Sequence, residues 1–211
     1  MIRAVILDMD GVISDTLRQH ALVEGRILKR FGVRLSAKEI TVRYKGRRTS
    51  DMFKELLAGR HYKLNELLEE KWRGLHKLLD KRVKPVPGAL KLITELHAGG
   101  FKLAVGSSSP RKSVETILRK LKLKNKFSAV VAAEDVKKGK PDPECFLLAA
   151  KRLGIRPDEC VVIEDAEPGM IAAKRAGMKC IGLVDKKDSK YLADILVNGL
   201  GEVNISGLKN L

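Results

Sequence analysis

The sequence has little that would tie it to a membrane, a disulfide framework or a thiol-based reaction. Its 211 residues include only three cysteines, Cys145, Cys160 and Cys180, an odd number with no C-x-x-C pair. Each lies in or beside an apolar segment, so they read as buried reduced thiols, with no metal and no catalysis assigned to them. No window approaches the roughly 18 apolar residues of a membrane span. The N-terminal MIRAVILDMD meets an aspartate before any signal-peptide core of useful length, which leads us to expect a cytoplasmic protein without a membrane partner. Aromatic residues are 4% of the chain and no nucleic-acid motif is present, so nucleic acid is not the expected partner. Gln19 is the only glutamine, among abundant Lys, Arg and Glu, as in heat-adapted proteins.

Acidic residues are also the minority, 26 Asp and Glu against 42 Lys and Arg for a net charge of +16. That deficit makes one stretch conspicuous. VILDMDGVISDT, residues 5–16, places Asp8, Asp10 and Asp15 within eight residues of a strongly basic chain.

What is present is a soluble globular composition, 44% apolar and 32% charged, long enough to bury a real core. IRAVIL (2–7) reads as a buried strand, punctuated by Asp8 and Gly11. Residues 16–84 show helical spacings and no convincing strand. Leu17, Ala21, Ile27, Leu28 and Phe31 mark a first helix stopped by Gly32, Ser36 and Glu39 form a capping box, and Met52, Phe53, Leu56 and Leu57 suggest a third helix. Leu64, Leu67, Leu68, Trp72, Leu75, Leu78 and Leu79 give the clearest amphipathic helix, with Trp72 read as core. This segment holds 19 Lys and Arg against 8 Asp and Glu. After VKPVPG (83–88) strands and helices alternate, with strands expected at 101–106, 129–133, 160–164, 180–184 and a last edge strand at 193–197. The expected fold is therefore α/β: a Rossmann-like parallel sheet with helices on both faces, formed by 1–15 and 85–211, with a small all-helical insertion at 16–84 after the first strand.

Ligands of such sheets bind beyond the carboxyl ends of the strands. There the sequence places DMDG (8–11), SSSP (107–110), KKGKPDP (137–143) and DAEPG (165–169), with Glu164 last in its strand. Neighbouring carboxylates such as Asp8 and Asp10 do not both stay ionised cheaply; a cation joins them or one holds a proton. Glu164 and Asp165 add further negative charge, and a hard cation such as Mg²⁺ resolves the conflict. An aspartate beside Mg²⁺ can attack phosphorus. A second, protonated because its neighbour is charged, can supply the leaving group with a proton. Lys140 can neutralise the phosphoryl group and Ser107 can donate to one of its oxygens.

The set D-x-D-G-V-x-x-D-T at 8–16, a serine closing the second strand, G-K-P-D-P at 139–143 and E-D-x-x-x-G at 164–169 resembles the four motifs of the haloacid dehalogenase-like superfamily. The resemblance covers the whole chain. It implies that Asp8 is the nucleophile and that Asp10 is the general acid/base, its main-chain carbonyl also a metal ligand. Thr16 would orient Asp10 or the hinge, Ser107 and Lys140 would hold the phosphoryl group with Ser108 lending its N–H, and Asp165 with Glu164 would complete the Mg²⁺ site. The helical insertion resembles the family's cap. Within the superfamily the chain is most similar to the β-phosphoglucomutase and phosphoglycolate phosphatase subgroup: His20 sits where the mutases have a histidine, and Lys45-Gly46 resembles their cap loop. The mutases carry an arginine three residues past that glycine, where this chain has Thr49; Arg47 and Arg48 are near but out of register, and the resemblance implies that Lys45, Arg48 and His20 join Thr16, Ser107 and Ser108 in binding the substrate and its phosphate.

The expected function is a Mg²⁺-dependent phosphatase of a small phosphorylated metabolite, such as a sugar phosphate or phosphoglycolate, working as a monomer or weak dimer. The rivals are a sugar phosphomutase, a basic nucleic-acid binder with a vestigial site, and a phospho-accepting receiver domain, against which the large insertion argues. Residue by residue, plainer roles compete. Ser107 or Ser109 could cap the helix at 111–121, His20 could simply be packed on its helix, and Asp15 could cap the first helix or serve the hinge. The cluster Arg43, Lys45, Arg47 and Arg48 around Tyr44 reads as solvated surface that also steers anions.

Overall fold

The computed structural model describes residues 1–188, 190–208 and 211. Six parallel strands form one sheet in the order β3-β2-β1-β4-β5-β6, namely β1 (Ala4–Leu7), β2 (Lys102–Gly106), β3 (Ala129–Val131), β4 (Cys160–Glu164), β5 (Lys179–Leu183) and β6 (Ile195–Val197). The β1 run is short because four residues, all buried, suffice to cross the middle of the sheet. Its alternation divides the core. Val5 and Leu7 face one side with Leu103, Val105, Val161 and Ile163, covered by α5 (Ala89–Ala98) and α6 (Arg111–Lys120). Ala4 and Ile6 face the other with Ala104 and Val162, covered by α7 (Glu144–Leu153) and α8 (Glu167–Arg175). Burial on both faces is why these strands read as continuous apolar runs rather than alternating ones.

Between β1 and α5 lie four helices: α1 (Leu17–Lys29), α2 (Ala37–Tyr44), α3 (Thr49–Leu56) and α4 (Leu64–Lys81). The Ser36/Glu39 capping box forms, with Glu39 N–H donating to Ser36 Oγ at 3.2 Å and Ser36 N–H to Glu39 Oε2 at 2.8 Å. Ala21, Ile27, Leu28, Ile40, Met52, Phe53, Leu57 and Leu67 make a separate apolar cluster among these helices. The division between clusters falls inside α4: Leu67 joins the helical cluster, whereas Leu75 and Leu79 join the sheet-side core. Trp72, expected as core, is half-buried, because its ring turns toward His20, 5.8 Å away edge-on.

The sheet order reverses direction between β1 and β4, which pair in register from Ala4–Cys160 to Leu7–Ile163. A crevice opens at such a switch point, beyond the strand carboxyl ends. Asp8 follows β1 there, and Glu164 and Asp165 end and follow β4.

Candidate active site

Three chain segments far apart in sequence meet in that crevice. The carboxylates of Asp8, Glu164 and Asp165 are buried, with ligand atoms within 4.8 Å of one another. Lys140 is 3% exposed and its Nζ donates to Asp8 Oδ1 at 2.5 Å, Glu164 Oε2 at 2.7 Å and Gly106 O at 3.2 Å. Its loop is fixed from below by Glu144, whose carboxylate accepts the N–H groups of Lys137 and Lys138 at 3.1 and 2.9 Å. Gly11 explains the glycine of D-x-D-G: its φ is +101°, and a Cβ there would overlap the Asp165 carboxylate.

The electrostatics follow from crowding. Burial, then Glu164 and Asp10, push the Asp8 carboxyl up to about 7 against the opposing pull of Lys140. Burial also lifts Asp165 to about 7, with Lys45 opposing and Asp8 reinforcing, and raises Glu164. Burial alone would lower Lys140, but Asp8 and Glu164 outweigh it and hold the ammonium charged. Three buried carboxylates against two lysines, Lys140 on Asp8 and Glu164 and Lys45 on Asp165, are an oxygen-only donor set with more negative charge than the protein itself neutralises. The chemistry of this set fits Mg²⁺.

The metal ligand expected of Asp10 is its main-chain carbonyl; its carboxylate does not join the clustered oxygens, with Oδ1 accepting from Thr16 Oγ1 and Oδ2 from Ser109 Oγ at 2.7 Å. Nor is it the carboxylate that keeps a proton, which corrects one reading of the sequence. Burial favours its neutral form, but His20 and the hydrogen bonds from Thr16 and Ser109 prevail and hold it well below the usual range. The raised carboxyls are Asp8, Glu164 and Asp165, because they are buried and crowd one another while Asp10 is surrounded by donors. His20 Nε2 lies 3.3 Å from Asp10 Oδ1, within ion-pair distance though not in hydrogen-bond geometry, and its Nδ1 lies 3.2 Å from Lys71 Nζ.

The serines divide the work differently from expectation. Ser107 is buried, its Oγ accepts the N–H of Ser109 at 3.0 Å, and the cavity is lined by Ser108 and Ser109 beside it. Ser108 Oγ donates to Gly46 O at 3.3 Å, a link to the helical insertion. Neither Ser107 nor Ser109 caps α6; the Glu134 carboxylate accepts the Arg111 N–H at 3.0 Å instead. Asp15 does not cap α1 either: it is exposed and its N–H donates to Lys84 O at 2.9 Å, tying together the two strands of chain that connect sheet and insertion.

The insertion is closed over the crevice. Lys45 Nζ is 2.9 Å from Asp165 Oδ2. Arg48, expected at the phosphate, instead donates to three main-chain carbonyls of the Lys140 loop region: Lys137 at 3.0 Å, Val136 at 2.9 Å and Ala133 at 3.2 Å. The backbone comes close at Gly46, φ +80°, where an added Cβ would lie 2.6 Å from that of Ala166. Arg47 pairs with Glu55 at 2.8 Å and lies over the Tyr44 ring. Three of the four clustered basic residues thus have internal partners. The resulting cavity is lined from the sheet by Asp8, Asp10, Ser108 and Ser109, and from the insertion by residues including His20, Glu24, Lys45 and Thr49.

Sequence reasoning missed Ser109, Glu24 and Lys71. Lys71 is fully buried and Glu24 is 6% exposed, with Lys71 Nζ 3.6 Å from Glu24 Oε1. The signal was there: Lys71 lies midway between Leu67 and Leu75 on the buried stripe of α4, and Glu24 between Ala21 and Leu28 on that of α1. Charged residues at buried helical spacings require a partner. The cysteines behave as expected, with burial pushing Cys145 up to about 12 and Cys160 to about 11.

Comparison with known proteins decides the family. Residues 5–183 match the haloacid dehalogenase-like hydrolases. The chain belongs to that family. It is similar to the β-phosphoglucomutase of Bacillus subtilis, 32% identical over 96% of this chain and 92% of that one. It is 34% identical to the fructose-1-phosphate phosphatase of Escherichia coli, over 84% of this chain and 94% of that one. Among solved structures, a β-phosphoglucomutase from Clostridium difficile superposes with a TM-score of 0.89, at 27% identity, covering 100% of this chain and 98% of that one. The α/β fold and membership of a hydrolase family are therefore established for this chain. Among the described residues no helix is long and apolar enough to cross a membrane.

Proposed function

We propose that this enzyme is a Mg²⁺-dependent phosphatase of small phosphomonoesters, acting through an aspartyl-phosphate on Asp8, with residues 16–84 as a cap over a core of 1–15 and 85–211. The observation that carries the reading is Lys140 Nζ, held by Asp8 and Glu164, with Asp8 and Asp10 both lining the adjoining cavity. Asp8, Glu164 and Asp165 would hold the metal, which when bound supplies positive charge beside the transferring phosphoryl group.

The chain's own groups do the rest. An Asp8 oxygen attacks phosphorus as the bond to the ester oxygen breaks. Lys140 orients the Asp8 carboxylate and offsets the charge of the phosphoryl oxygens, to which Ser107 donates. Asp10 is ionised at rest; a dianionic ester placed beside it raises its pKa, so it takes up a proton and passes it to the leaving alcohol. Thr16 and Ser109 keep it aimed. Water then attacks the aspartyl-phosphate, Asp10 removes its proton, and phosphate and the Asp8 carboxylate are regenerated. The reduced, buried thiols support a cytoplasmic location.

Likeness to β-phosphoglucomutase supports a second reading, a sugar phosphomutase. Position 49 favours hydrolysis: Thr49 is buried and donates to Glu24 at 2.8 Å, so no basic group is presented there to hold the distal phosphate of a bisphosphate. A phosphate-release screen across sugar phosphates, phosphoglycolate and nucleotides, with and without Mg²⁺, tests the proposal. Metal-dependent release from small esters is expected. Interconversion of a hexose 1-phosphate and 6-phosphate with no free phosphate would establish the mutase instead.

A further inference from the structure

The insertion side of the cavity carries a charged group that the chemistry at Asp8 does not use. Glu24 projects from α1 into the cavity wall, beside Met52 and Trp72. Its Oε1 accepts from Thr49 Oγ1 at 2.8 Å and lies 3.6 Å from Lys71 Nζ. Lys71 is in turn fixed by His20 Nδ1 at 3.2 Å and lies 3.0 Å from the centre of the Trp72 ring. The Glu24 carboxylate is therefore locked through one oxygen, and Oε2 accepts no hydrogen bond from the described residues. Oε2 is not among the buried atoms without a partner, so it is open to the cavity, where a ligand donor can reach it.

The positive groups around the cavity are already engaged. Lys45 is on Asp165, Arg47 on Glu55, and Arg48 on the carbonyls at 133, 136 and 137. The insertion side thus offers an anionic acceptor free at one oxygen, while its cations are engaged except at Arg48 Nε, which is buried without a partner among the described residues.

We propose that Glu24 is a specificity-determining residue, which accepts a hydrogen bond from a hydroxyl of an uncharged polyol leaving group and excludes esters that carry a second phosphate or a carboxylate there. The inference rests on the phosphomonoesterase reading for the orientation of the ligand, reacting phosphate toward Asp8 and Lys140 and the remainder toward Glu24. A hydroxyl brings the proton that Oε2 lacks. A second phosphate brings like charge into a site with little water to screen it, and exclusion of that kind is how sites reject a close competitor. Thr49 and Lys71 are positioning residues that hold the carboxylate in place.

The test is calorimetric binding of fructose 1-phosphate, fructose 6-phosphate, fructose 1,6-bisphosphate and inorganic phosphate, with Mg²⁺, to full-length protein carrying Asp8→Asn to prevent turnover. At least one monophosphate is expected to bind more than about tenfold tighter than both the bisphosphate and inorganic phosphate. Adding Glu24→Gln, which keeps the size and the acceptor for Thr49, should bring the ratio of monophosphate to bisphosphate affinity to within about threefold. Structural damage weakens both ligands alike, so the ratio reports the charge. Bisphosphate binding as tightly as the monophosphates, monophosphates binding no better than phosphate, or a ratio untouched by Glu24→Gln each overturns the proposal. If Glu24→Gln does not fold, the ratio in the Glu24 protein decides alone. Phosphate release by the protein with Asp8 intact is scored separately: its absence defeats the phosphatase reading, while the binding ratio still decides the role of Glu24.

Discussion

Among the described residues two lysines are buried, one in each half of the site, and they are held in opposite ways. Lys140, at the sheet, faces two carboxylates at 2.5 and 2.7 Å, and its ammonium is held charged against the cost of burial. Lys71, in the insertion, has one carboxylate at 3.6 Å, a histidine and an indole face, and burial brings it down to about 8 with only partial opposition from Glu24 and Asp10. The same side chain at the same depth is thus a fixed cation in one place and close to titrating in the other. What differs is the number and distance of anions in reach, since desolvation is similar for both. On the proposed function, the sheet side would grip the phosphoryl group and the insertion side would meet the rest of the ester by hydrogen bonding.

The largest expected effect lies at the nucleophile. Asp8→Asn should lower phosphate release by more than about a thousandfold, while leaving Lys140 a partner in Glu164 so that the protein stays folded. Activity surviving that change would refute the role of Asp8.

The lysines come next, and they test the contrast directly. Lys140→Met leaves two buried carboxylates without their cation and should cost about 3–5 kcal/mol in urea unfolding. Lys71→Met removes a charge that is itself poorly stabilised and should cost about 1–2 kcal/mol. Equal losses would mean that burial alone, and not the anions in reach, sets the character of the two sites.

A pH series sharpens the same point. Asp8 and Asp165 titrate near 7 in the folded protein and about 4 when unfolded. Between those values the native state holds more protons than the unfolded one, so stability is fully present at the acid end and falls as pH rises. In EDTA the Tm should drop from pH 5 to pH 8, and Mg²⁺ should remove most of that drop by compensating the ionised carboxylates. A profile unaffected by Mg²⁺ would show that these carboxylates do not hold the ion.

The smallest effect is expected at the contact between the two halves. Arg48→Ala removes three hydrogen bonds to the Lys140 loop region. It should speed amide exchange in residues 133–137 and lower kcat/KM severalfold, mostly by raising KM, since closure and not the chemical step is weakened.

Much of this arrangement was legible in the chain. The apolar runs at 2–7 and 160–164 and the Ser36/Glu39 box correspond to β1, β4 and the start of α2, because they are written in local periodicity and capping chemistry. That Asp8, Lys140, Glu164 and Asp165 would converge followed from the rule that strand ends of a parallel sheet meet at one edge. The turn of Asp10 toward Thr16, Ser109 and His20 did not follow, since two residues past a strand end a side chain's direction is set by the loop and its donors. The commitments of Arg47 and Arg48 were also hidden, because a long flexible cation takes whichever acceptor the opposing surface presents.

By itself, then, the sequence determined which elements form, how they alternate and which four segments supply the acidic and basic groups, for these depend on periodicity and short-range spacing. Only the tertiary structure decided which carboxylates crowd and which are relieved, that Glu24 and Lys71 pair inside the insertion, and that its cations are spent on closure. Those outcomes depend on distances between residues as far apart in the chain as Asp8 and Asp165, and charge–charge and desolvation energies change steeply over a few ångströms that no linear pattern records.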